Sequence, residues 1–176
     1  MESSELERFE AVVLPHLDAA YTLARYLTRN DHDAQDVVQD ASLRALRYFD
    51  GFRGGGSAEA RAWLLAIVRN TAYTWRRRHR ADTLGTEFDE EQHSEQAADR
   101  HPESALLAQD QRAALRRAIE ELAPEFREVI VLRELEGLSY KEISDVAGVP
   151  VGTVMSRLSR ARRRLEEALC AEPEDC

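Results

Sequence analysis

The chain has 176 residues, with 24 Lys+Arg against 33 Asp+Glu and a net charge of −9. Hydrophobic residues at 43% and charged residues at 32% exclude a disordered chain. No apolar run approaches the roughly 20 residues of a membrane span, and the acidic start Met1-Glu2-Ser3-Ser4-Glu5 is unlike a secretory leader, so no membrane insertion and a cytoplasmic location are expected. The total charge also argues against nucleic acid, but its distribution does not. Residues 1–11 hold four acids against Arg8, residues 81–108 hold eight against Arg100, and residues 166–176 hold five with no base. The remainder is net +6. It contains two acid-free basic runs: Arg69, Arg76, Arg77, Arg78 and Arg80 within 69–80, and Arg157, Arg160, Arg162, Arg163 and Arg164 within 151–165. Such clusters are either solvated helix faces or the footprint of a polyanion partner. Lys141 is the only lysine, and arginine suits bidentate phosphate and guanine contacts.

In chain order, residues 12–30 read as a helix, because Val13, Leu17, Ala20, Tyr21, Ala24 and Leu27 recur at three- and four-residue steps. Asn30-Asp31-His32-Asp33 breaks it and caps a second helix over 34–49. That helix turns Ala34, Val37, Val38, Ala41, Ala45 and Phe49 inward and leaves Asp36, Gln39, Asp40, Leu43, Arg44 and Arg47 outside. Leu43 among these charges hints at docking. Residues 50–58, with Gly54-Gly55-Gly56-Ser57, form a loop that lacks the Gly-Lys-Ser/Thr of a phosphate-binding P-loop. A third helix over 59–80 buries Trp63, Leu64, Ala66, Ile67 and Val68 and ends in arginines. Residues 81–108 read as a flexible acidic linker, partly helical near 102–107 in the alternative. A second helical unit follows from about 109 to 168. The expected class is all-α, with two small helical domains over 1–80 and 109–170, the linker 81–108 and an acidic tail 171–176.

The most informative stretch is 136–165. Ser139-Tyr-Lys-Glu142 is a capping box, Ile143, Val146 and Ala147 form an apolar stripe, and Gly148 suits a left-handed helix end. Pro150 stops the first helix and Thr153 opens the next, with Val154, Leu158 and Ala161 inward. This is a helix-turn-helix pattern, with an αα-hairpin carrying a basic face as the plainer alternative. Thr153, Ser156, Arg157, Ser159, Arg160 and Arg163 face outward, as short hydroxyls and arginines that read base edges and phosphates do.

The run from Glu136 to Leu165 resembles region 4 of bacterial RNA polymerase sigma factors of the extracytoplasmic-function (group IV) type, in the sigma-70 family, and Leu122–Glu134 resembles the helix leading into it. Asp33–Leu46 is similar to sigma region 2.2, and Phe52-Arg-Gly with Trp63–Asn70 is similar to regions 2.3 and 2.4. The resemblance covers about 9–80 and 112–168. It implies an alternative sigma factor that binds RNA polymerase core, through the β′ coiled coil and the β flap, and directs promoter-specific initiation. It assigns Asp36, Gln39, Asp40, Leu43 and Arg44 to core polymerase. It assigns Phe52, Arg53, Asn70, Arg76 and Arg77 to the −10 element, with Asn70 at the position that reads a flipped base. It assigns Thr153, Ser156, Arg157, Arg160 and Arg163 to the −35 element. Trp63 is expected in the core. Aromatic platforms beside positive charge suit bases held out of the stack. An anti-sigma factor is an implied partner, and the acidic linker is implied to imitate nucleic acid. The chain departs from the pattern at Thr74, where Asp is common, and at Met155, where Lys or Arg is frequent; its loop from Phe52 to Trp63 is longer and richer in glycine than in many members.

Enzymatic chemistry has little support. His16, His32, His79, His93 and His101 are scattered, and no nucleophile–base or metal-ligand spacing is present, so no cofactor, metal or catalytic residue is expected. Cys170 and Cys176 are expected to remain thiols. The alternatives are a stand-alone helix-turn-helix regulator and a sigma mimic that sequesters an anti-sigma factor. The docking face argues against the first and the two arginine runs against the second. The acidic segments are expected to compete with phosphate for the arginines, so the intact chain should bind free DNA weakly.

Overall fold

The computed structural model describes residues 3–83 and 104–171, except the side chains of 82, 83, 104 and 105. Every regular element among the described residues is a helix, without strands. The acidity of residues 1–11 hides an apolar stripe of Leu6, Phe9, Val12 and Val13, which makes α1 (Ser3–Val13). The single helix expected over 12–30 is interrupted after Val13. Pro15 lacks an N–H and its ring crowds the preceding turn, so the chain passes through a 3-10 turn (Leu14–His16) into α2 (Leu17–Thr28). Arg29 ends α2 in the left-handed region at φ 62°. Asn30 caps α3 (Asp31–Tyr48), its side chain accepting from the Asp33 N–H at 3.0 Å. After the loop comes α4 (Ser57–Thr83), whose 27 residues make it the longest described helix.

α1 to α4 enclose a core of Leu23, Leu27, Val37, Leu64, Leu65 and Val68. Leu65 is fully buried, whereas Ala66, expected inward, is half-buried. The buried stripe of α4 is displaced because this helix has neighbours on two sides: α2 and α3 on one, the C-terminal half on the other.

The C-terminal half begins with α5 (Ser104–Glu121). Helix therefore reaches into both ends of the stretch expected as a linker, while 84–103 lies outside the described residues. Pro124 starts α6 (Pro124–Ile130), where its missing N–H costs nothing. The helix then widens into a π-turn (Val131–Leu135). α7 (Tyr140–Ala147) and α8 (Val151–Cys170) form the helix-turn-helix. The capping box forms as expected: the Glu142 N–H donates to the Ser139 hydroxyl at 3.1 Å, and the Ser139 N–H donates to the Glu142 carboxylate at 3.1 Å. Gly148 ends α7 at φ 69°, a conformation any Cβ would strain. α8 begins at Val151, two residues before the expected Thr153, because Pro150 supplies an extended N-cap backbone.

The two halves pack directly on each other, with α2 and α4 against α6, the π-turn and α7. Polar side chains make much of this seam. Arg127 is 4% exposed and donates to the Leu122 carbonyl at 2.8 Å and the Tyr26 carbonyl at 2.9 Å. Tyr26 lies in the last turn of α2, and Leu122 follows the last residue of α5. One guanidinium thus satisfies carbonyls left open at two helix ends, one from each half, where positive charge is also favoured. Burial, with Arg29 and Arg76 nearby, pushes the Arg127 pKa down to about 10, so it stays charged. Arg25 reaches Glu120 at 3.4 Å. Arg61 reaches the Glu136 carbonyl at 3.1 Å and Glu142 at 3.3 Å.

Candidate nucleic-acid interface

Three surfaces carry the residues that the sequence singles out. The first is the outer face of α3. Asp36, Gln39, Asp40 and Leu43 recur on one side and are exposed, Leu43 to 61%. Arg44 is half-buried and pairs with Asp40 at 3.2 Å, and His32 lies 4.0 Å from Asp36. The inner side, Ala34, Val37, Ala41 and Ala45, is buried, so the helical period alone sorts the two faces. Beside this face, α3 and α4 leave a groove of about 240 Å³ lined by Asp36, Asp40, Thr74, Trp75 and Arg78, among others. An exposed leucine ringed by both signs of charge suits a protein partner better than DNA.

The second surface joins the loop to α4. Phe52 is not free. Its ring lies 4.7 Å from the Trp63 ring and 6.2 Å from that of Phe49, and Phe9 meets Phe49 edge-on at 5.4 Å. Trp63 is partly buried against the core, as expected. The Phe52 ring fits because residue 54 has no side chain: a Cβ on Gly54 would fall 2.5 Å from its edge. Glu59 holds the loop by accepting from the Gly55 N–H at 2.9 Å. Arg53, Asn70 and Arg77 are exposed, while Arg76 is half-buried with its guanidinium 5.9 Å from the Tyr73 ring. Burial and the neighbouring Arg80 push the Arg76 pKa down.

The third surface is α8. Val154, Leu158 and Ala161 are buried, and Ser156, Arg160 and Arg163 are exposed. Thr153 and Arg157 are half-buried. Arg157 turns toward Glu128 at 3.9 Å. Arg162 pairs with Glu134 at 2.7 Å, and Arg164 lies over the Phe126 ring at 4.6 Å. The basic run therefore splits by helical face: some arginines brace the fold and others stand clear.

The structure also brings together residues that the sequence did not single out. Glu128 is fully buried and holds Arg69 at 2.9 and 3.3 Å. Burial pushes the Glu128 pKa up, against the opposing pull of Arg69 and Arg157. The one sequence signal was an acid set in the apolar run Phe126 to Leu132. Among the described residues no cluster of His, Cys, Asp or Glu has the makings of a metal site, and no helix is long and apolar enough to cross a membrane. Cys170 is exposed at the end of α8; Cys176 lies outside the described residues.

The chain is similar to known proteins. Residues 12–81 match the Sigma-70 region 2 family, and residues 112–165 match Sigma-70, region 4. The chain is 34% identical to the RNA polymerase sigma-H factor of Pseudomonas aeruginosa, over 96% of this chain and 90% of that one. It is 36% identical to the ECF RNA polymerase sigma-E factor of Escherichia coli, over 84% of this chain and 78% of the relative. It is 33% identical to the ECF RNA polymerase sigma factor SigE of Mycolicibacterium smegmatis, of whose length it spans 64%. Among solved structures it is similar to the sigma factor RpoE of Bartonella quintana in complex with the anti-sigma factor NepR. That match has a TM-score of 0.72 and 31% identity, over 94% of this chain and 99% of the other. CnrH in complex with the cytosolic domain of CnrY matches at a TM-score of 0.66 and 27% identity, over 95% and 90% of the two chains.

Proposed function

The chain belongs to the sigma-70 family as a sigma factor of the extracytoplasmic-function type, and on that premise we propose how its parts divide promoter-specific initiation. The exposed face of α3, with Asp36, Gln39, Asp40, Leu43 and Arg44, docks on core polymerase at the β′ coiled coil. The central Leu43 supplies apolar contact and the surrounding charges fix register. The β flap takes the C-terminal domain, residues 109–170. In the N-terminal domain, residues 1–80, Phe52 leaves its place against Trp63 and Phe49 and offers its ring to an unpaired base of the −10 element. Arg53, Arg76 and Arg77 hold phosphates, and Asn70 reads a flipped base through its amide. α8 enters the major groove of the −35 element. There Thr153 and Ser156 approach base edges, while Arg157, Arg160 and Arg163 reach guanine or phosphate.

One observation carries this reading: a single chain holds both an exposed leucine ringed by charge on α3 and a capped helix-turn-helix whose outer side carries hydroxyls and arginines. A stand-alone regulator has no use for the first. The chain supplies recognition and strand separation, and no bond-making step is assigned to it. Its place is the cytoplasm, with polymerase and promoter. A relative of this architecture is solved with an anti-sigma factor, and we extend that class of partner to this chain.

Run-off transcription with core polymerase and promoters selected from genomic DNA tests the reading. A promoter-dependent transcript is expected, and its absence overturns the assignment. Asp40→Arg is expected to lower core affinity by tenfold or more with the thermal midpoint unchanged; unaltered core affinity overturns the docking face.

A further inference from the structure

Glu128 has an unusual position. It comes from α6 in the C-terminal half, is fully buried, and holds arginines from two different helices. Arg69 of α4 donates twice to its carboxylate, at 2.9 and 3.3 Å. Arg157 of α8 lies 3.9 Å away. Arg69 also donates to the Asn70 side-chain oxygen at 3.3 Å and lies 4.1 Å over the Tyr73 ring. Tyr73 is half-buried beside them, with a phenol that burial pushes well above its ordinary pKa. One carboxylate thus ties the helix expected at the −10 element to the helix expected at the −35 element.

We propose that Glu128 is the latch of a closed state of the free chain, and that loading onto polymerase must release it. Without Arg69 the buried carboxylate keeps only the more distant Arg157, at 3.9 Å, and its charge is poorly compensated. Arg69 is the partner from the other half, so the carboxylate favours packed halves over separated ones. When the halves part, water reaches Glu128 and Arg69 loses its partner. Arg61 on Glu142 and Arg127 on the Tyr26 carbonyl reinforce the same seam. The closed state engages Arg69 and Arg157 with the same carboxylate, so both basic runs lose a cation together. The link to DNA rests on the assignments under Proposed function; the latch itself does not.

The test uses the full chain, as wild type, Arg69→Ala and Glu128→Gln, without polymerase. Small-angle scattering reads separation of the halves, and titration with a −35 duplex reads access to α8. Both variants are expected to enlarge the radius of gyration, and Glu128→Gln, which also removes the charge holding Arg157, is expected to raise duplex affinity about tenfold, within the range of ordinary coupling between sites. Arg69→Ala leaves the C-terminal half intact, so it decides the matter if Glu128→Gln fails to fold. A compact Arg69→Ala chain of wild-type dimensions overturns the latch, even where the chain still initiates transcription. Separated halves with no gain in duplex binding by Glu128→Gln uphold the latch and overturn the −35 assignment.

Discussion

The two arginine runs look alike in sequence and are used differently in space. In the run over 69–80, the first arginine is inside: Arg69 crosses to Glu128, and Arg76 is half-buried near Tyr73. Arg77, Arg78 and Arg80 are exposed. In the run over 157–164 the sorting follows the helical turn. Arg157 faces inward, Arg160 and Arg163 outward, and Arg162 and Arg164 are engaged by Glu134 and Phe126. A cluster of positive charge is therefore not one feature. Position on the helix decides whether a guanidinium braces this packed state or stands ready for a polyanion, and a bracing one adds to a salt-dependent affinity only after its protein contact is released.

Substitutions sharpen this division. The largest effect is expected at Arg127, which belongs to neither run. Arg127→Ala leaves two helix-end carbonyls without their donor in a closed seam, and a loss of about 3 kcal/mol in unfolding free energy is expected from denaturant titration. A wild-type midpoint would mean that these carbonyls find water. Next comes Arg160→Ala, expected to weaken a −35 duplex by about 2 kcal/mol while leaving the thermal midpoint in place. Arg164→Ala should do the reverse, costing about 1 kcal/mol of stability through its lost ring contact and little DNA affinity. Equal effects of the two on DNA would erase the distinction between bracing and available arginines. Ser139→Ala removes half the capping box and should cost about 1 kcal/mol in the C-terminal half, read by calorimetry.

The smallest expected effect is a dependence on pH. His16 is buried, 3.4 Å from the Ser57 hydroxyl, and burial together with Arg61 lowers its pKa from the ordinary 6.5. The unfolded chain then takes up this proton first as pH falls. The stabilising contribution is present above pH 6.5 and is lost as pH falls through the lowered folded value. His16→Gln should flatten the slope of stability just below pH 6.5, and an unchanged slope would assign it to other groups.

Part of this molecule is legible in its sequence through signals that act locally. The capping box, Gly148 and Pro150 each work within a few residues, so the helix-turn-helix can be read almost to its ends. The exposed face of α3 follows from period alone, because one side is all small or branched apolar residues and the other charged. Three features escape such a reading. α1 is hidden because its charge is more conspicuous than its apolar spacing. The break at Pro15 turns one expected helix into two. The seam is beyond local patterns altogether: Glu128 meets Arg69 across 59 positions, and Arg127 meets Tyr26 across 101. No spacing rule joins such pairs. The expectation that acidic end and linker segments restrain the arginines concerns stretches partly outside the described residues, 84–103 and 172–176 above all. Within them, acids of the C-terminal half itself meet Arg25, Arg61 and Arg69.

The missing side chain at Gly54 has a consequence for timing. The Phe52 ring rests in the space a Cβ would take, against Trp63. Ring pairs of this kind are worth about 1 kcal/mol beyond burial. That term alone lowers the population of the outward ring about fivefold while no DNA is bound. Gly54→Ala would push the far edge of a movable ring and raise that fraction, whereas Gly55 and Gly56 have open space where a Cβ would go. In a loop of three consecutive glycines, one sets the resting balance between a stored ring and a presented one, and the other two do not.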